Sequence, residues 1–376
     1  MMTKSPMSKL QPPGARSNRT TQRRRHRRRV VFAIIIVLSL IAGAAGAVMF
    51  FVASRGDVTD TAARIEPPPP PGPPSLAVLA VRGDPALAAV VGSGGDQPPA
   101  VVSLPSEMTF TVPGQGDGTI DEAIALEGSS FRVAVSNLLG VWVDHFAVMD
   151  RDGLVVLVDR MGGIGVELQD AFETGEETLG PGEVRLTGEQ VDEYLNVHGR
   201  ATELRWQLVL QGLLAKRALL LPSDLLQTDD ATAVAAVLDD AKGSAVQQVP
   251  VEDLGGDLQD PLIKADPEEL PGFVSTAFGE GLGETVPVIV VNGNGEPGVG
   301  ESVAAKIVPA GFRVVLSQNA DRFDHQTTAV IASGEEQVGA ARRAQEALGV
   351  GEVQVTRVPS GLADVTIVVG KDYGRG

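Results

Sequence analysis

From Val30 to Ala53 the chain is apolar but for Ser39, with no charged residue and no proline. As a helix this run would extend about 36 Å, enough to cross a hydrocarbon core of about 30 Å with some tilt. Ser54–Pro74 breaks the pattern and ends in a proline run, Pro67–Pro71 with Pro73 and Pro74. That composition favours an extended, semi-rigid tether. Beyond it, apolar positions recur with the two periods of regular structure. Strand patterning predicts two strands in Ser75–Val91 around an Arg82-Gly83-Asp84-Pro85 turn. It predicts others at Ala100–Leu104, Met108–Val112, Val143–Met149 and Leu154–Val158, the last two around an Asp150–Gly153 turn. Helical spacing predicts Thr119–Ala125, Phe131–Leu139, a helix opening at Thr187 and running through Tyr194, Glu203–Leu221 and Asp229–Ala241. Thr187 has Gln190 three residues on, a capping-box pattern, and Pro222 stops the Glu203 helix.

Leu254–Glu284 is rich in Gly, Asp and Pro and reads as a linker with one short helix at Pro267–Ala277. A second pattern follows. Strands are predicted at Val286–Val291, Phe312–Ser317, Thr328–Ala332, Val353–Val358 and Val365–Val369, with helices at Gly298–Ile307 and Glu335–Leu348. That βαββαββ order suggests a small sheet with two helices on one face. The chain is therefore expected to be α/β, with a basic tail (1–29), an apolar span (30–53), a tether (54–74), a first domain (75–253), a linker (254–285) and a second domain (286–373).

Charge assigns a topology to these parts. Of the 31 Lys and Arg, ten lie before Val30, including the Arg23–Arg29 run, and no acid precedes the span. Positive residues flanking a span favour the cytoplasmic side, so residues after Ala53 are expected outside the membrane. A cleaved signal peptide is the competing reading, with Ala42-Gly43-Ala44 or Ala45-Gly46-Ala47 as the cleavage site. Apolar residues continue past both, which favours a retained anchor. Beyond the span, 21 basic residues face all 48 acids. Such a surface repels nucleic acid, which is held by Lys and Arg on phosphates. The absence of cysteine excludes disulfides, thiol catalysis and Cys-based metal sites.

Candidate chemistry is sparse. Gly293-Asn294-Gly295-Glu296-Pro297-Gly298 is a G-x-G-x-x-G between a predicted strand and helix, a pattern that can cradle a pyrophosphate. The unit is too small for a dinucleotide fold, and Glu296 puts negative charge where phosphate would sit, so a glycine turn is expected. The four histidines, His26, His145, His198 and His325, are not at metal-ligand spacing. Acidic pairs such as Glu176-Glu177 read as solvated faces.

Several stretches in order resemble the LytR-CpsA-Psr family. They are Val101–Pro105, Val112–Gly116, Leu139-Gly140-Val141 through Asp144-His145-Phe146, Leu157–Ile164 and Leu186–Gln190. Val291-Asn292-Gly293, Ala310-Gly311-Phe312 and Val369–Tyr373 are similar to the LytR C-terminal domain. The resemblance implies an envelope phosphotransferase that moves glycopolymers from a polyprenyl-pyrophosphate carrier to peptidoglycan with Mg²⁺. It also implies arginines that clamp the pyrophosphate and aspartates that bind the metal. Bidentate guanidinium donors and a divalent ion suit a two-phosphate anion.

The chain departs from that pattern at the charged positions. Pro74-Ser75-Leu76-Ala77 stands where an Arg and an Asp are expected at the first strand. Ser106-Glu107 replaces an Arg-Asp pair, and Thr119 a lysine. Asn196 and His198 replace two arginines after Tyr194. Gly199 and Thr202 replace an Asp and an Arg, and Trp206 a Gln, leaving Arg205 in register. The expectation is a non-catalytic domain that binds a polyprenyl-phosphate lipid, an envelope glycan or an active family member, with no cofactor and no nucleic acid. The alternative is a working phosphotransferase whose rebuilt site uses Glu107, His198, Arg200 and Arg205 with Mg²⁺.

Overall fold

The structure is a computed structural model that describes residues 73–175, 177–216, 224–256, 261–279, 282–283, 285–356 and 361–374. The basic tail, the apolar span and all of the tether but Pro73 and Pro74 lie outside the described residues. Among the described residues no helix is long and apolar enough to cross a membrane.

The first domain is built on strands that are apolar on both sides. β1 (Ser75–Arg82), β2 (Leu87–Ser93) and β3 (Ala100–Leu104) pair antiparallel in sequence. β4 (Thr109–Val112) and β5 (Gly116–Thr119) form a hairpin that leads into α1 (Ile120–Ile124), capped by Thr119 and Glu122. α2 (Gly128–Leu139) follows and ends at left-handed Gly140. β6 (His145–Asp150) lies parallel to β1 and runs straight into α3 (Arg151–Arg160). β7 (Ile164–Leu168), the small hairpin of β8 (Phe172–Thr174) and β9 (Glu177–Leu179), and β10 (Gly182–Leu186), which pairs with β7, form an outlying ribbon. α4 (Gly188–Leu195), α5 (Arg200–Leu214), β11 (Gln227–Thr228), α6 (Ala231–Asp240) and β12 (Val246–Gln248) complete the central sheet region. Its strand order is β11-β6-β1-β2-β3-β12. On β1, Leu76, Val78 and Ala80 face a core shared with α2, while Ala77 and Val81 face one shared with α4 and α5. Burial on both sides is why β2 reads as a continuous apolar run.

Besides β5 and β7 to β12, which the sequence reading does not predict, three stretches differ from it. Leu154–Val158, expected as a strand, is the middle of helix α3. Its buried residues Gly153, Leu154, Leu157 and Val158 form a helical stripe, and the intervening valines made the run look like a strand. α5 begins at Arg200 rather than Glu203, after Gly199 at φ 75° and ψ −151°. The stretch read as a linker carries β13 (Val251–Gly256) into β14 (Pro261–Ala265) and then α7 (Leu270–Phe278). These join β4 and β5 in a second sheet, ordered β13-β14-β4-β5. Leu270, Val274, Ala277 and Phe278 of α7 are buried in the same core as α2. Short strands amid Gly, Asp and Pro give too few alternating positions to show a period.

The second domain has the βαββαββ order that its spacing predicts: β15 (Val286–Asn292), α8 (Val299–Ile307), β16 (Phe312–Asn319), β17 (Ala329–Ala332), α9 (Val338–Leu348), β18 (Glu352–Val355) and β19 (Val365–Val369). Its sheet is ordered β16-β15-β19-β17-β18, with β17 antiparallel to β19. The glycine-rich stretch is a turn. Gly295 and Gly298 have φ of 79° and 75°, and a Cβ on Gly293 would stand 2.7 Å from the Val369 carbonyl oxygen.

The two domains meet at α2. Asn137, buried, donates to the Val314 carbonyl at 2.9 Å and accepts from the Val314 N–H at 2.7 Å. Ser130 and Glu301 hydrogen-bond at 2.7 Å, and Val133 belongs to the second domain's core. Gly300 lies against Gly114 so closely that a Cβ on it would be 2.5 Å from the Gly114 Cα.

Candidate functional site

A cavity of about 380 Å³ opens between the first turn of α5, the β13–β14 hairpin and the Pro105–Glu107 segment after β3. The hairpin supplies Val251, Asp253, Pro261 and Ile263, and the last two come from the region read as a linker. Two of the four candidate residues reach it. Glu107 accepts hydrogen bonds from the Gly199 N–H at 3.0 Å and from the Ser106 hydroxyl at 2.8 Å. It therefore satisfies a free donor at the start of α5. Arg200 forms an ion pair with Asp253 across the cavity, both side chains half-exposed. The Gly255 N–H and then Arg200 hold the Asp253 carboxyl below its usual range.

The other two candidates lie outside the cavity lining. Arg205 donates to the Tyr194 carbonyl at 2.7 Å and stacks 4.7 Å from that ring's centroid. His198 is exposed, its Nδ1 3.7 Å from a carboxylate oxygen of Asp84. Trp206, the bulky replacement on α5, is turned to the opposite side. Its indole donates to the Ala88 carbonyl at 2.9 Å in the core beneath the central sheet.

The sequence reading missed Glu203. It is 8 % exposed on a wall of the cavity, whereas its neighbour Leu204 is 62 % exposed. A carboxyl turned inward beside a leucine turned outward inverts ordinary amphipathic patterning. Gln207, one turn along, donates to Glu203 at 2.9 Å and to Ser103 at 3.3 Å. Burial pushes the Glu203 carboxyl up from its usual value; hydrogen bonds from Ser103 and Gln207 oppose this, and nearby Glu107 adds to it. Glu203 is thus biased toward the neutral acid, which can donate a hydrogen bond. The only sequence signal was a glutamate and a glutamine at helical spacing.

At the carboxyl end of β1 the charges are engaged structurally. Arg82 donates to the carbonyls of Ile124 and Leu126 and, at 2.9 Å, to Gln227. Arg151 donates to the Pro85 carbonyl at 3.0 Å and pairs with Asp192. A Cβ on Gly83 would strike the Arg151 side chain at 2.6 Å. Asp121 accepts from the Ala86 N–H; partial burial and the like charges of Asp84, Glu107 and Glu122 push its carboxyl up. Among the described residues no three acidic or histidine side chains converge closely enough to hold a metal ion. The arrangement is an apolar cavity with two glutamates, one of them buried, and one guanidinium already paired.

Comparison with known proteins places these domains in families. Residues 80–203 match the LytR_cpsA_psr family, and residues 285–373 match the family described as LytR cell envelope-related transcriptional attenuator. The chain therefore carries a LytR-CpsA-Psr domain followed by a LytR C-terminal domain. One relative is the polyisoprenyl-teichoic acid–peptidoglycan teichoic acid transferase TagU of Halalkalibacterium halodurans. It is 32% identical over 97 residues, which is 25% of this chain and 32% of the relative. The cell wall biosynthesis protein LcpA of Corynebacterium glutamicum is 26% identical over 288 residues, 63% of this chain and 54% of that one. The matches span between about a third and about a half of these relatives' lengths. The crystal structure of B. subtilis TagU is similar at 21% identity and a TM-score of 0.43, over 54% of this chain and 95% of that one.

Proposed function

We infer that this chain is a membrane-anchored envelope protein, its domains outside the membrane, whose LytR-CpsA-Psr domain binds without transferring. Its place is in cell-wall glycopolymer attachment, as a binding or assembly module for a polyprenyl-phosphate lipid, an envelope glycan or an active family member. The observation that carries this reading is the charge inside the α5 cavity. Its lining carries the carboxylates Glu107 and Asp253, the buried carboxyl of Glu203, and a single guanidinium, Arg200, already paired with Asp253. A pyrophosphate held there would meet carboxyl groups, whereas a lipid chain would meet Pro105, Leu204, Val251, Pro261 and Ile263. Apolar burial contributes about 25 cal/mol per Å² whether or not a head group is held. Arg82 and Arg151 are not among its lining residues and are committed to backbone carbonyls.

The alternative phosphotransferase would need Glu107, His198, Arg200 and Arg205 to converge on one phosphate. Arg205 on Tyr194 and His198 on Asp84 are turned to other partners. The test uses the full-length protein with a polyprenyl-pyrophosphate analogue and Mg²⁺, beside an active family member. The expected result is weak, metal-independent binding of polyprenyl phosphate and no turnover. Metal-dependent pyrophosphate cleavage that is lost in Arg200→Ala or Arg205→Ala would establish the alternative instead.

A further inference from the structure

A second cavity, of about 180 Å³, lies where the first domain's β14 and α7 meet the second domain's β16. Its volume is several times the roughly 30 Å³ occupied by one water in the liquid. Two cations line it, Arg313 from β16 and Lys264 from β14. Arg313 is half-buried beside the junction, and its guanidinium makes no hydrogen bond, ion pair or ring contact among the described residues. The groups around it are committed elsewhere. Asn137 spends its amide on Val314 and on the Thr111 carbonyl at 3.3 Å. Glu252 stands opposite Lys264 in the hairpin register, without an ion pair between them. Burial alone moves the Arg313 guanidinium, downward from its usual value, and no carboxylate offsets it.

That is an anomaly in this chain. Beyond the span its acids outnumber its basic residues by more than two to one, and most of its other arginines are bonded or stacked. Arg313 is only partly desolvated, and a partly desolvated guanidinium without a counter-charge is stabilised when an anion supplies that charge. A guanidinium presents a planar fork that matches two oxygens of one anion, and an ammonium adds a point charge. Two positive charges balance a dianion, whereas a single carboxylate would leave one unneutralised.

We propose that the junction cavity is a binding site for a phosphate-class oxyanion, held by Arg313 from the second domain and Lys264 from the first. The anion spans both domains, so binding it tightens their junction. Because it binds only the folded protein, it raises the thermal midpoint. The site is separate from the α5 cavity, and the inference does not depend on what that cavity binds.

The test is titration of full-length protein with inorganic phosphate in chloride buffer, followed by calorimetry and by thermal melting. Saturable binding and a rise in melting temperature are expected. Arg313→Gln should weaken binding by at least tenfold and Lys264→Gln by about threefold or more, as for lost charge-assisted hydrogen bonds. Arg313→Lys, which keeps the charge without the fork, should fall between wild type and Arg313→Gln. Without phosphate, Arg313→Gln should melt no lower than wild type, which separates loss of the site from loss of the fold. Arg343→Gln, at the arginine stacked 5.7 Å from Phe312, is the charge control and should bind as wild type does. A parallel titration with glycerol 3-phosphate identifies the source. Equal or tighter binding means phosphate carried on a larger molecule, and binding of inorganic phosphate alone means the free ion. Absence of saturable binding, or Arg343→Gln losing as much as Arg313→Gln, would overturn the proposal.

Discussion

The cavity at the start of α5 holds a buried acid, and the cavity at the domain junction holds a partly buried base. In the first, burial falls on a carboxyl, Glu203, whose pKa rises so that it can shed its charge. In the second it falls on a guanidinium, Arg313, which stays charged at any physiological pH and so depends on a counter-ion. The same physical cost is thus met by titration in one place and by demand for a ligand in the other. The α5 cavity tolerates an apolar guest with little charge, whereas the junction calls for an anion.

Four changes break or sharpen that contrast. The largest effect is expected for Asn137→Ala, which strands the Val314 N–H and carbonyl at the buried junction. Stability should drop by about 2–4 kcal/mol in denaturant unfolding, with phosphate binding lost and lipid binding at the α5 cavity spared. Glu107→Ala should act on the other side of the contrast. It frees the Gly199 N–H at the start of α5 and should cost about 1–2 kcal/mol, leaving the junction intact.

Glu203→Gln changes the pH dependence more than the stability itself. With the folded pKa raised, the unfolded chain binds fewer protons than the folded one between the ordinary value of 4.5 and the raised value. Stability contributed by this group is therefore present below that window and falls as pH rises through it. The variant should lack this decline, and its denaturation midpoints from about pH 4 to about pH 8 should run flatter than wild type. A slope unchanged by the substitution would show that Glu203 is ionised and hydrated, removing one half of the comparison. Arg200→Ala should have the smallest effect, since a half-exposed pair is screened by water. A melting temperature unchanged within error is expected, and a clear fall would mean that the cavity is better closed than its exposed rim implies.

Much of the architecture was legible because it rests on local signals. The Thr187–Gln190 capping box, the Gly140 stop and the apolar run of β1 and β2 each act within a few residues. α3 was misread because Val155, Val156 and Val158 carry a strand preference that the buried Leu154–Leu157–Val158 stripe overrides. The site was half legible for a related reason. α5 starts three residues earlier, after Gly199, and packs with Glu203 turned inward and Arg205 on Tyr194, orientations that helical spacing alone does not show. The junction cavity had no sequence signal at all. Arg313 and Lys264 are 49 positions apart and meet only because the presumed linker folds into the first domain.

The contact between Gly300 and Gly114 also gives a handle on mechanics. With a Cβ at Gly300 only 2.5 Å from a backbone atom of the other domain, the nearest obstacle is not a side chain that can swing away. A single methyl there is a wedge, and its lever arm is the whole second domain. Gly300→Ala would tilt that domain about its Asn137 attachment while leaving the residues of the α5 cavity untouched. A force pressing the carboxyl-terminal domain onto the first would be passed through this hard stop into the β4–β5 turn, and from there to the second sheet.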